Sequence, residues 1–145
     1  MKKIIMTLAI ALSSIAAFAG EENVDRKVLN AFKTDFSTAN QVEWASGNNY
    51  YRASFIYNNK HVFAYYDTEG ELLGLTRYIS SMDLPLNLQT GLKKDYAEYW
   101  ISDLFEVAKT DGTTYYITLE TADTKMVLKS TGSSAWDVYK TIRKV

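Results

Sequence analysis

Cysteine is absent from the 145 residues, histidine occurs once, at His61, and proline once, at Pro85. Without cysteine there is no disulfide, no thiolate metal site, no nucleophilic thiol and no lipid attached at a cysteine. A single histidine leaves a triad without partners, since no serine stands in a G-x-S-x-G elbow. There is no glycine-rich phosphate loop and no HExxH helix. Basic excess is also missing, with 16 Lys and Arg against 17 Asp and Glu, so nothing in the charge suggests nucleic acid or an anionic membrane. Low-complexity segments and long linkers are absent too.

What is present begins with MKKIIMTLAIALSSIAAFA. Lys2 and Lys3 give a basic start, Ile4 to Ile15 is mostly apolar, and Ala17-Phe18-Ala19 is an A-x-A cleavage signal. That order predicts a secretory signal peptide over residues 1–19, with an apolar run short for a membrane span. Cleavage after Ala19 leaves 126 of the 145 residues, one domain's worth, with 14 basic and 17 acidic side chains. The expected location is periplasmic or secreted, with no stable membrane insertion after cleavage.

Aromatics make up 14% of the chain, eleven of them tyrosines. Val24, Val28, Ala31, Phe32 and Phe36 recur at helical steps and predict an amphipathic helix. VEW (Val42 to Trp44), YYRASFIY, HVFAYYD and LLGLTRYI then read as strands. Pro85 suits the first turn of a second helix carrying Leu88, Leu92 and Tyr96, despite Gly91. After it the order repeats: LFEV, TYYITLE, KMVLK and STGSSAW stand where VEW, YYRASF, HVFAYY and DTEGELL stood. The prediction is one α+β domain, residues 20–145, made of two similar halves at about 24–80 and 84–142.

Turn chemistry sets the faces. Asparagine tolerates positive φ, so a two-residue turn at Asn58-Asn59 places Phe55 opposite Val62, Ala53 opposite Ala64 and Tyr51 opposite Tyr66. The reverse face then pairs Ile56 with His61, Ser54 with Phe63 and Arg52 with Tyr65. DTEGE, Asp67 to Glu71, holds three carboxylates around one glycine. A helix-flanked calcium loop needs its glycine sixth, whereas Gly70 is fourth, so the motif reads as a type I turn with a glycine bulge. That turn sets Tyr65 against Leu73 and brings Leu75 and Arg77 to the Phe63/Tyr65 face. In the second half a loop at Ala122-Asp123 pairs Leu119 with Met126 and Ile117 with Leu128, and its reverse face, Glu120 with Lys125 and Tyr116 with Lys129, reads as solvated.

The order of these pieces resembles a known pattern: a signal peptide, then Val42-Glu43-Trp44, then Ala64 to Leu73 with the Asp67/Gly70 turn, then Leu84-Pro85 and a helix, then a weaker second round. It is similar to the PepSY-like, β-lactamase-inhibitor-like family of secreted proteins of Bacteroidetes type, over residues 24 to 142. The resemblance implies tandem units of helix plus antiparallel sheet, with helices on one side and a sheet face open on the other. The characterised inhibitors have disulfides that this chain lacks, so only the turn is carried over, as a structural element.

The expected function is a non-catalytic, secreted protein-binding module, inhibitor-like in the way it grips a partner. The candidate contact residues are Arg52, His61, Phe63, Tyr65, Leu73, Leu75 and Arg77, since aromatics with arginine make interface hot spots. No catalytic residue, metal or cofactor is expected. The alternatives are a small-ligand carrier with a pocket between sheet and helices, and a self-associating structural protein, a homodimer through that face.

Overall fold

The amphipathic step of the first helix is realised in a computed structural model that describes residues 17–132 and 134–145. Helix α1 (Arg26–Asp35) starts at Asp25, whose side chain accepts from the Lys27 N–H at 2.8 Å. That cap satisfies one of the free donors of the first turn. Val24, Val28, Phe32 and Phe36 lie buried along one side of it. Helix α2 (Leu86–Asp95) follows Pro85, as the fixed φ of proline allows. A capping box between Ser80 and Asp83 precedes it.

The chain divides after Thr76 into two compact units. The first contains α1 and strands β2 (Asn40–Gly47), β3 (Tyr50–Tyr57) and β4 (Lys60–Asp67), with most of β5 (Leu72–Tyr78). Each strand pairs antiparallel with the next. Asn58 and Asn59 both take positive φ, 51° and 64°, which turns β3 into β4. A short strand β1 (Ala17–Ala19) pairs with β2, Phe18 facing Ala45 in register. The predicted cleavage signal is therefore strand β1, and the rest of the predicted signal peptide, residues 1–16, lies outside the described residues.

The core of this unit is aromatic. The Phe32 ring lies 5.3 Å from Trp44 and 5.0 Å from Phe55, both edge-on, and Phe36 lies 4.9 Å from Phe55. Tyr66, fully buried, donates its hydroxyl to Asp35 Oδ2 at 2.9 Å. A buried hydroxyl needs such a partner, so Tyr66 ties β4 to the end of α1.

The second unit contains α2 and strands β6 (Trp100–Lys109), β7 (Gly112–Glu120), β8 (Thr124–Ser130) and β9 (Asp137–Arg143), again antiparallel in chain order. Its core is aliphatic: Leu84, Leu88, Leu92, Leu104, Ile117, Leu119 and Leu128. Gly91 in the middle of α2 faces Trp136, which donates its indole N–H to the Leu88 carbonyl at 3.0 Å. STGSSAW does not repeat the DTEG turn. Ser130 ends β8, the described residues from Thr131 to Trp136 form no strand, and Gly132 lacks the positive φ that Gly70 takes, +86°.

Candidate functional site

The site is built on the sheet face turned away from α1, and the β3–β4 register decides what it holds. Arg52 pairs with Tyr65, Ser54 with Phe63 and Ile56 with His61, as the Asn58-Asn59 turn predicts. The DTEG turn also forms: Gly70 N–H donates to the Asp67 carbonyl at 3.2 Å, and Asp67 Oδ1 accepts from the N–H groups of Glu69 and Glu71, both at 2.9 Å. Its carboxylates serve the turn and an ion pair, Glu69 with Lys27 at 2.9 Å.

The next step departs from expectation. Tyr66 pairs with Leu72, but Tyr65 pairs with Gly74, so Leu73 is an extra residue in a bulge. A one-residue slip reverses the face of everything beyond it. Leu75 therefore stands opposite Ala64 and packs against the helix-side core. Thr76, opposite Phe63, takes the place assigned to Leu75. Arg77 shares the parity of Leu75 and pairs with Glu106 inside the second unit. Leu75 and Arg77 thus leave the predicted site, and half-buried Leu73 sits in the bulge. A glycine inside a strand pattern, Gly74, was the signal for that bulge.

Four predicted residues remain together. The Arg52 guanidinium carbon lies 5.2 Å from the Phe63 ring centre, and the His61 ring stacks on Phe63 at 4.8 Å and 21°. His61 is exposed, while Arg52 and Phe63 are half-buried. Cation–π attraction favours a guanidinium over the face of an aromatic ring at this separation. Ser54 Oγ lies 2.6 Å from His61 Nε2, a diagonal neighbour that sequence reasoning did not single out. The His61 ring therefore lies against a hydroxyl and the stacked Phe63 ring.

Tyr65 behaves differently from its neighbours. It is 1% exposed, with the Tyr50 ring 6.0 Å away, so it offers a partner almost no surface. Burial pushes its pKa up to about 12, against the opposing charge of Arg52. Arg52 and Thr76 act on the Tyr65 hydroxyl but do not reach hydrogen-bonding geometry; Arg52 Nε, Tyr65 Oη and Thr76 Oγ1 are all buried without a partner.

The reverse face of the second unit has the predicted pairs, Glu120 with Lys125 and Tyr116 with Lys129. It is less solvated than those pairs suggest. Tyr116 is 5% exposed, stacked on Phe105 at 5.2 Å and met edge-on by Tyr139 at 5.7 Å, with the Lys129 amine over both tyrosine rings. Phe105 and Tyr139 come from β6 and β9, whose register no turn signal fixed. Among the described residues no cluster of three His, Cys, Asp or Glu could hold a metal, and no helix is long and apolar enough to cross a membrane.

The fold has counterparts among solved structures. A BLIP-like protein from Bacteroides fragilis superposes with a TM-score of 0.73 at 17% identity, covering 84% of this chain and 89% of that one. A DUF2874 family protein from Bacteroides ovatus gives 0.73 at 20% identity, over 83% and 88%. A protein from Bacteroides eggerthii, provisionally classed as periplasmic, gives 0.72 at 14% identity, over 83% and 88%. The chain has the β-lactamase-inhibitor-like, α+β fold. No family model and no curated protein matches the sequence.

Proposed function

We propose that the chain, once its signal segment is removed, works outside the cytoplasm as a non-catalytic module that holds another protein. The Arg52–Phe63–His61 stack is the observation that carries this reading. It brings a half-buried aromatic ring, a guanidinium over that ring and an exposed imidazole together on one face of the sheet, the mixture that anchors interfaces. The inhibitor-like part of the reading, restraint of an enzyme by that face, draws support from the fold shared with a BLIP-like protein. Periplasmic location draws support from the N-terminal pattern and from the B. eggerthii neighbour.

The PepSY-like kinship and a tandem origin of the two units belong to the same proposal. Landmarks recur sixty residues apart: Arg26 and Leu86 open the helices, Asp35 and Asp95 close them, and the caps Phe36 and Tyr96 donate to Phe32 and Leu92. The spacing holds through helix and cap to the start of β2 and β6 and widens in the later strands, as divergent tandem units would.

Pull-down from a periplasmic extract tests the binding reading. The bound set should change with Phe63→Ser plus Arg52→Ala while far-UV circular dichroism stays unchanged. A folded double variant that retains the same bound set contradicts it. Self-association is the second reading, carried by β9, an exposed strand with Val138, Tyr139 and Ile142 all open to solvent. Light scattering across concentrations separates the two.

A further inference from the structure

The two units share a feature that the protein-binding reading does not use. Beside α1 lies a groove of about 260 Å³ whose lining includes Phe32, Phe36, Trp44, Lys33 and Glu21. Beside α2 lies a groove of about 200 Å³ whose lining includes Leu92, Tyr96, Tyr99, Ile101, Lys93 and Ser81. Phe32 corresponds to Leu92, Lys33 to Lys93, Phe36 to Tyr96 and Glu21 to Ser81, each sixty residues on, so one place in the scaffold is hollow twice.

Their charges differ. In the first groove Glu21 Oε1 stands 3.7 Å from Lys33 Nζ and neutralises it. In the second, serine replaces that glutamate, and among the described residues Lys93 has no ion-pair partner. The second groove is therefore an apolar hollow, walled by two tyrosine rings, with an uncompensated ammonium at its rim. Tyr96 and Tyr99 meet edge to face at 5.7 Å, which fixes the wall. Gln89, which also lines the groove, donates to the Met82 and Leu84 carbonyls and so secures the opposite side.

We infer that the groove beside α2 binds a small monocarboxylate carrying one aromatic ring or branched apolar group, its carboxylate on Lys93 and its apolar end between Tyr96, Tyr99 and Ile101. The size fits: an apolar cavity of about 150 Å³ accommodates benzene, and the remaining space takes a short linker and a carboxylate at the open edge. The groove is smaller than drug-sized sites, so affinity is weak, on the order of millimolar. The glutamate beside α1 closes the matching groove to anions.

The test is a titration of the ¹⁵N-labelled mature protein with 3-phenylpropionate, followed by amide shifts, beside 3-phenylpropionamide and Lys93→Met. The acid should shift Lys93, Tyr96, Tyr99 and Ile101 saturably and leave Phe32, Phe36 and Trp44 in place. It should bind about fivefold tighter than the amide, the scale of one exposed ion pair, and Lys93→Met should abolish that preference. A short peptide ending in phenylalanine, titrated in parallel, distinguishes a free acid from a chain end as the source of the carboxylate. Equal binding of acid and amide, shifts centred on the first groove, or no saturable shift with any probe overturns the inference.

Discussion

Beneath α1 the sheet meets rings, Phe32, Phe36, Trp44 and Phe55; beneath α2 it meets Leu88, Leu92, Leu104 and Ile117. The helices nevertheless begin, end and cap sixty residues apart. The apolar positions step by four in both, Val28-Phe32-Phe36 and Leu88-Leu92-Tyr96, and what is held in common is that step, since a core tolerates changes of shape when its volume and pattern are kept. The units differ where the chain leaves the sheet. In the first, Gly70 brings the β4–β5 turn against the opening turn of α1. In the second, Trp136 reaches the middle of α2 from the segment before β9.

Exchanging single residues shows how far those two fastenings differ. The largest effect is expected at Gly70. A Cβ there would lie 2.8 Å from the Lys27 carbonyl oxygen at a φ of +86°, so Gly70→Ala combines a backbone clash with left-handed strain. It should cost about 2–4 kcal/mol in urea unfolding. Gly132→Ala, with nothing within 4 Å, should change stability by less than about 0.5 kcal/mol. Equal losses would dissolve the contrast.

Alkaline pH comes next. Tyr65 keeps its proton to about pH 12 because it is buried, whereas an unfolded tyrosine loses it near 10. Above pH 10 the unfolded state binds fewer protons than the native state, so stability falls as pH rises towards 12. The stabilisation is complete below pH 10, and the loss amounts to about 2–3 kcal/mol at most. Burial and the Asp35 carboxylate raise Tyr66 as well, which extends the loss to higher pH. Tyr65→Phe should flatten the slope of stability against pH between 10 and 12 and cost nothing at pH 7, because the hydroxyl it removes has no partner. A loss of about 1 kcal/mol at pH 7 would show that the hydroxyl is bonded.

Tyr66→Phe, one residue along, should behave in the opposite way at pH 7. It breaks the bond to Asp35 and should lower stability by about 1–1.5 kcal/mol by the same urea titration. The smallest effect is a gain. Gly91→Ala places a Cβ 3.5 Å from the Trp136 ring, ordinary contact, in a position where the first unit has Ala31. Helix propensity then favours the variant by roughly 0.5–1 kcal/mol. A loss would mean that Trp136 cannot accommodate even a methyl group.

The same residues show what the sequence could tell. Both helices, the seven strands from β2 to β8 and the β3–β4 register were legible because periodicity and two adjacent asparagines are local signals, whereas β9 (Asp137–Arg143) was not read, since STGSSAW was set in the place of its turn. The Leu73 bulge was not: a tight turn defines pairing at its own end only, and Gly74 announced a disturbance without its size. Leu75 and Arg77 were misplaced for that reason. Tyr65 was assigned the correct face, but its burial depends on neighbours that no local pattern encodes. Likewise Tyr116 was paired correctly with Lys129 and missed as buried, since Phe105 and Tyr139 arrive from other strands.

The Arg52–Phe63–His61 stack is the part of this account on which function rests, and in-cell photo-crosslinking tests it most directly. A photoreactive residue at position 61 or 63 should give one discrete adduct containing a different secreted protein, and the same residue at Val127, on the reverse face of the second unit, should give none. No adduct at either first-unit position, an adduct with a second copy of this chain, or equal labelling at Val127 would contradict it.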